Sequence, residues 1–162
     1  MNTSHASRSL PKAIGLAILL CGTLDITDAL VFYWFRSRTP PMRLLQGIAS
    51  VPLGARAFRG GWPMAGVGLL IHFCIATFWV CLFIFLAQKI SWLFRNSILA
   101  GLLYGLIVYG CMNFIVLPLF RPNAPIHFNI ALVNAILALV LFIGLPVALI
   151  NRNFAPLPIT PR

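Results

Sequence analysis

Two acids and one histidine are the residues of this 162-residue chain whose types and spacing could do chemistry. Asp25 and Asp28 are its only acidic side chains, against 12 Lys and Arg, and both fall inside an apolar run. An Asp at mid-membrane costs about 2.5–3.5 kcal/mol to insert, so each needs a local reason. A spacing of three puts the pair on one helix face. That face also carries Ala17, Cys21, Gly22, Ala29 and Phe32, and the opposite one carries Leu16, Leu19, Leu20 and Leu30. Small residues mark contacts between membrane helices and bulky aliphatics mark the lipid side, so the acids should point inward. Two carboxylates one turn apart in a low dielectric should not both stay ionised, and His72 could hold the balancing proton. Such a group suits a transporter, a proton path or a ligand pocket. Alternatively, these polar residues hydrogen-bond the helices together.

Asn113 and Asn134 extend the pattern. His72 shares a stripe with Ala65, Gly68 and Ala76; Asn113 follows Tyr109 by one turn, near Gly105 and Gly110; Asn134 lies two turns after His127, with Ala131 and Ala138. Counted at 1.5 Å per residue from the side of the one long connection, Asp28 lies about 10 Å deep, His72 about 13 Å and Asp25 about 15 Å. By the same count Asn134 is about 12 Å deep and Asn113 about 8–10 Å. Antiparallel helices therefore bring Asp25, Asp28, His72, Asn113 and Asn134 to one level, and the expectation is a buried polar cluster.

The elements that must hold this cluster are apolar helices. Hydrophobic residues make up 60% of the chain and charged ones only 9%, where a soluble domain has about a quarter charged. That balance excludes an ordinary soluble enzyme, a disordered tail and a lysine-rich nucleic-acid binder. About 20 apolar residues cross a bilayer as a helix. Four windows of that length lack Lys and Arg, at 13–35, 64–87, 97–120 and 126–150. They predict one all-α membrane domain, a four-helix bundle, with disordered ends at about 1–9 and 153–162. The apolar run after Arg8 and Lys12 is too long for a signal core and no Ala-x-Ala site follows, so the first segment is expected to be retained.

Residues 37–63 form the long connection. Thr39 before Pro40 and Pro41 reads as a helix cap, and 40–58 as an interfacial or re-entrant helix interrupted by Pro52 and Gly54. Arg36, Arg38, Arg43, Arg56 and Arg59 surround it. Arginines at a membrane surface pair with lipid phosphates, at about 1 kcal/mol each. They could also form a cationic mouth guiding an anionic solute or headgroup toward the acids. Lys89 and Arg95 bracket the turn between the second and third spans, with Trp92 as an interface anchor. Basic residues divide six against six between the two sides, so the charge rule does not orient the chain. The closeness of Lys89 and Arg95 to span ends favours cytoplasmic termini.

Cys21, Cys74, Cys81 and Cys111 lie within spans on three helices, without a Cys-x-x-Cys pair, and read as small apolar residues. No metal-ligand spacing, phosphate loop or nucleophile elbow occurs, and no cofactor is expected. A b-type haem would need two histidines at one level. His127 lies some 10 Å shallower than His72 by residue count, which argues against it.

The chain resembles a group of small four-helix bacterial inner-membrane proteins of unknown function and is more distantly similar to the YagU-like inner-membrane proteins. The stretches that carry this are Gly22-Thr23-Leu24-Asp25, residues 43–50, Gly60-Gly61-Trp62, His72, residues 101–105, Met112-Asn113, residues 116–119 and Gly144-Leu145-Pro146. The resemblance implies four helices in a bacterial plasma membrane and supplies no activity. Leu139 stands where such proteins are expected to have a histidine, so no histidine-based site is carried over. The first functional expectation is a non-enzymatic accessory or interaction protein, with membrane lipids, a second copy or another membrane protein as partners and no nucleic acid. A proton-coupled or solute-conducting protein is the second. A membrane enzyme or lipid-binding protein, with its site under the interfacial segment, is the third.

Overall fold

The computed structural model describes residues 9–120 and 129–155. Six helices account for nearly all of them: α1 (Leu10–Ser37), α2 (Pro41–Leu53), α3 (Gly61–Lys89), α4 (Ser91–Arg95), α5 (Ser97–Phe120) and α6 (Ile130–Phe154). A short 3-10 turn, Ala55–Arg59, joins α2 to α3. No strand occurs among the described residues. By length and composition α1, α3, α5 and α6 are the four spans of a multi-pass membrane protein. Their outward faces carry Leu19, Leu70, Phe78, Phe85, Ile107 and Phe114, all exposed, as a helix bundle solvated by lipid requires.

Small residues set how closely the spans approach. Gly144 on α6 lies against the backbone of Gly101 and Gly105 on α5, two glycines one turn apart, and a Cβ at Gly105 would stand 2.5 Å from the Val140 Cα. This small-xxx-small contact lets two backbones touch in the absence of a strong hydrophobic drive within lipid. The main core fills the end of the bundle nearest α4, where Ala13, Ala17 and Cys21 of α1 meet Val80, Phe83 and Ile84 of α3, Tyr104 of α5 and Val147 of α6. A smaller core, built on Ile26, Leu45 and Ala65, joins α1, α2 and α3 at the other end.

Several expectations are corrected here. The first two spans extend three residues beyond 13 and 64 at their starts and two beyond 35 and 87 at their ends. The last begins at Ile130 instead of 126, where Asn129 caps it by accepting from Ala131 N–H at 2.9 Å, and it runs on to Phe154, so residues 153 and 154 are helical rather than disordered. Ser9 N–H donates to the Phe154 carbonyl at 2.9 Å, tying this end to the start of α1. Thr39 does not cap α2. Pro40 occupies that position, and the Thr39 hydroxyl instead meets Ser37 Oγ at 2.8 Å. The turn before it is closed by Arg38 in the left-handed region (φ 54°) with Thr39 N–H returning to Tyr33 O, a helix end usually built on glycine. Pro52 lies inside α2 near its end, and Gly54 (φ 72°) terminates it. Leu30, assigned to lipid, packs against the α1–α2–α3 core because α2 covers that side of α1. Arg8, Arg121, Pro122, Pro125, His127 and the remaining terminal residues lie outside the described residues.

Neither α5 nor α6 is a uniform α-helix. Each widens into a π-helical turn, Met112–Val116 and Leu139–Gly144, closed by the N–H of Leu117 and of Leu145 reaching back five residues to Met112 and Val140. In both cases a proline follows two residues later, Pro118 and Pro146. A helical proline lacks the N–H and its ring crowds the carbonyl four residues back. Widening the preceding turn relieves that crowding.

Candidate functional site

A cavity of about 560 Å³ opens between the spans in the half of the bundle that faces α2. It exists because the core residues of the α4 end give way to a wider arrangement. Both π turns contribute to its wall (Met112, Asn113 and Val116 from one, Leu139 and Ile143 from the other), and Ile48, Val51 and Pro52 of α2 close it from the connection side. α2 is fixed there by α3, since Gly68 lies directly under the Leu45 carbonyl, too close for any side chain. The buried Gln46 adds a bond from Nε2 to Gly61 O at 2.9 Å. The size falls within the 300–1,000 Å³ usual for small-molecule sites, and the wall is almost wholly apolar.

Among the described residues three polar side chains line it: Asp25, His72 and Asn113. His72 Nε2 lies 2.8 Å from the carbonyl oxygen of Gly22 on α1. A carbonyl only accepts, so Nε2 carries the hydrogen and donates, and Nδ1 is left to face Asp25. The distance from Nδ1 to Asp25 Oδ2 is 3.9 Å, too long for a hydrogen bond, with the two side chains 11% and 23% exposed. The Asp25 carboxylate accepts no hydrogen bond from any described residue. Gly22 permits the arrangement by its size, because a Cβ there would stand 2.5 Å from the Phe73 ring that neighbours His72. Asn113 donates from Nδ2 to Tyr109 O of its own helix at 3.0 Å. That bond uses one of its two amide N–H groups locally.

The expected five-residue cluster is thus divided. Asp28 does not line the cavity; its Oδ2 accepts from Asn134 Nδ2 at 2.8 Å, a bond that clamps α1 to α6. A spacing of three leaves about 60° between Asp25 and Asp28 around the helix, enough to send one toward α3 and the other toward α6. Among the described residues no group of three His, Cys, Asp or Glu side chains is arranged to hold a metal. Arg36, Arg38, Arg43, Arg56 and Arg59 are all exposed, and none lines the cavity. Arg43 reaches Phe58 O at 3.3 Å and lies over the Phe58 ring, and Arg56 donates to Leu53 O at 3.0 Å, so these two brace the turn after α2. Cys21 is buried with its thiol 3.7 Å from Ile143 O, and Cys74 is exposed.

Tyr104, Gln46 and Asn151 were not singled out from the sequence. Tyr104 donates to Trp79 O at 2.6 Å, tying α5 to α3 within the main core. Asn151, fully buried near the α4 end, has a side-chain amide without a hydrogen-bond partner among the described residues. The only signal for Gln46 was a lone amide within the apolar stretch 44–51. Comparison of the chain with protein-family models, with curated proteins and with solved structures finds no match.

Proposed function

We propose that the protein is a membrane-embedded binding protein for a small, mainly apolar molecule with one polar end. The observation that carries this reading is the opening of Asp25, His72 and Asn113 into an otherwise apolar cavity between four spans. Helices held together by polar contacts alone would satisfy those groups against one another, as Asp28 and Asn134 do. Asp25 instead keeps its carboxylate free, at a cost that a bound partner would offset. We place the protein in a bacterial plasma membrane with cytoplasmic termini, on the strength of the family resemblance and of the basic residues around α4. No enzymatic step is assigned, and the accessory role expected first becomes that of a ligand carrier or sensor.

Native mass spectrometry of the protein, taken from its own membrane without delipidation, tests this. One small molecule per chain is expected in the wild type. It should be lost in Ala29→Phe, which fills the cavity from a half-buried position on α1. A wild-type mass equal to the bare chain, even after mild extraction, contradicts the reading.

A further inference from the structure

The polar atoms of the cavity wall specify what kind of polar end the ligand carries. With Nε2 of His72 committed to Gly22 O, the neutral ring presents the lone pair of Nδ1. Asn113 gives one N–H of its amide to Tyr109 O and keeps its Oδ1 as a further acceptor. Asp25 offers carboxylate oxygens that accept from no described residue. Among the described residues no Lys, Arg, Ser or Thr lines the wall; the side-chain N–H groups there belong to His72 Nε2 and Asn113 Nδ2, each bonded to a backbone carbonyl, and to the Trp79 indole. At Asp25 and His72 the atoms that face one another are acceptors without a donor.

From this we infer that the ligand is an apolar primary amine, bound as its ammonium between Asp25 Oδ2 and His72 Nδ1. This rests on the ligand-binding reading above and narrows it. Two acceptors cannot bond each other, but at a separation of 3.9 Å a single nitrogen can lie at about 2.8–2.9 Å from both. An ammonium has three N–H donors and no acceptor, so it can serve both acceptors at once. Its charge also supplies the countercharge that the Asp25 carboxylate lacks, which otherwise only a protonated His72 would provide. A carboxylate ligand would face Asp25 with no cation among the described lining residues to pair with it.

Equilibrium dialysis with the full chain in nanodiscs, blanked against empty nanodiscs, tests the inference using radiolabelled octylamine, octanol and octanoate. Octylamine is expected to saturate at one per chain, with half-saturation about tenfold below octanol, the worth of one charge-assisted hydrogen bond. Octanoate should bind more weakly than either, and the advantage of the amine should vanish in Asp25→Asn. Equal binding of octylamine and octanol by the wild type, or preference for octanoate, overturns the amine assignment and leaves the cavity as a binding site. Failure of all three to exceed empty nanodiscs overturns both. The wild-type comparison decides the matter even where Asp25→Asn does not fold.

Discussion

His72 donates from Nε2 to the Gly22 carbonyl, 2.8 Å away on the facing span, and this one bond decides what the other ring nitrogen shows to Asp25. It is a bond between helices made by a side chain to a backbone oxygen, so no change at Gly22 that keeps the backbone in place can remove the acceptor. The resulting tautomer is observable. In a 15N spectrum of histidine-labelled protein, with the His72 signals assigned by their absence from His72→Gln, the Nε2 nitrogen should carry the hydrogen and Nδ1 should not. The opposite pattern would mean that Nδ1, not Nε2, makes the structural bond.

Asp28 and Asn134 form a clamp between α1 and α6 that stands apart from the cavity. Asp28→Ala and Asn134→Ala should each lower stability in mixed micelles, and the double variant should lose less than the sum. A coupling of about 0.5–1.7 kcal/mol is expected for a hydrogen bond between membrane helices. Binding of octylamine should be unaffected. Loss of binding in Asp28→Ala with stability unchanged would instead put Asp28 in the site.

Gly144 is the tightest point of α5–α6 packing, facing the Gly101 carbonyl and the Gly105 backbone. Gly144→Val should prevent the two spans from docking and abolish a monodisperse product in size-exclusion chromatography. Gly15→Ala and Gly66→Ala, whose added methyl groups would meet nothing within 4 Å, should be neutral or more stable by about 0.5–1 kcal/mol. Similar gains in all three would show that helix propensity, not backbone approach, governs these glycines.

The cavity wall depends on prolines that do not themselves point to chemistry. Pro146→Ala restores an N–H to α6 and allows Leu139–Gly144 to return to α-helix, which turns Leu139 and Ile143 away from their present places. Thermal stability should rise, by no more than the roughly 3 kcal/mol that a helical proline costs, while octylamine binding weakens. A more stable variant with unchanged binding would separate the π turn from the site.

The four spans were legible because twenty consecutive apolar residues have few alternative fates, and the faces of α1 and α3 were legible because small residues mark contacts. Asp25 and His72 could therefore be brought to one level by counting. The division of the acids was not legible: a spacing of three is ordinarily one face, and only the positions of α3 and α6 around α1 show that about 60° separates two neighbours. The π turns were hidden for a similar reason, since Leu-Pro in an apolar run signals a kink without saying how the helix absorbs it. Leu30 was misassigned because hydropathy alone cannot separate a lipid face from one covered by α2. That α2 roofs the cavity depends on the Gly68–Leu45 contact, a pairing of residues 23 positions apart that no local pattern encodes.

Photolabelling tests the occupied cavity most directly. An alkyl amine bearing a diazirine at its far end, added to the protein in nanodiscs and activated by light, should mark Met112, Ile75 and Ile143, which meet at the cavity from three different spans. Excess octylamine should suppress that labelling. Marks spread over the outward Leu19, Leu70 and Phe114, insensitive to competitor, would show that the amine sees only the lipid face and that the cavity stays empty of it.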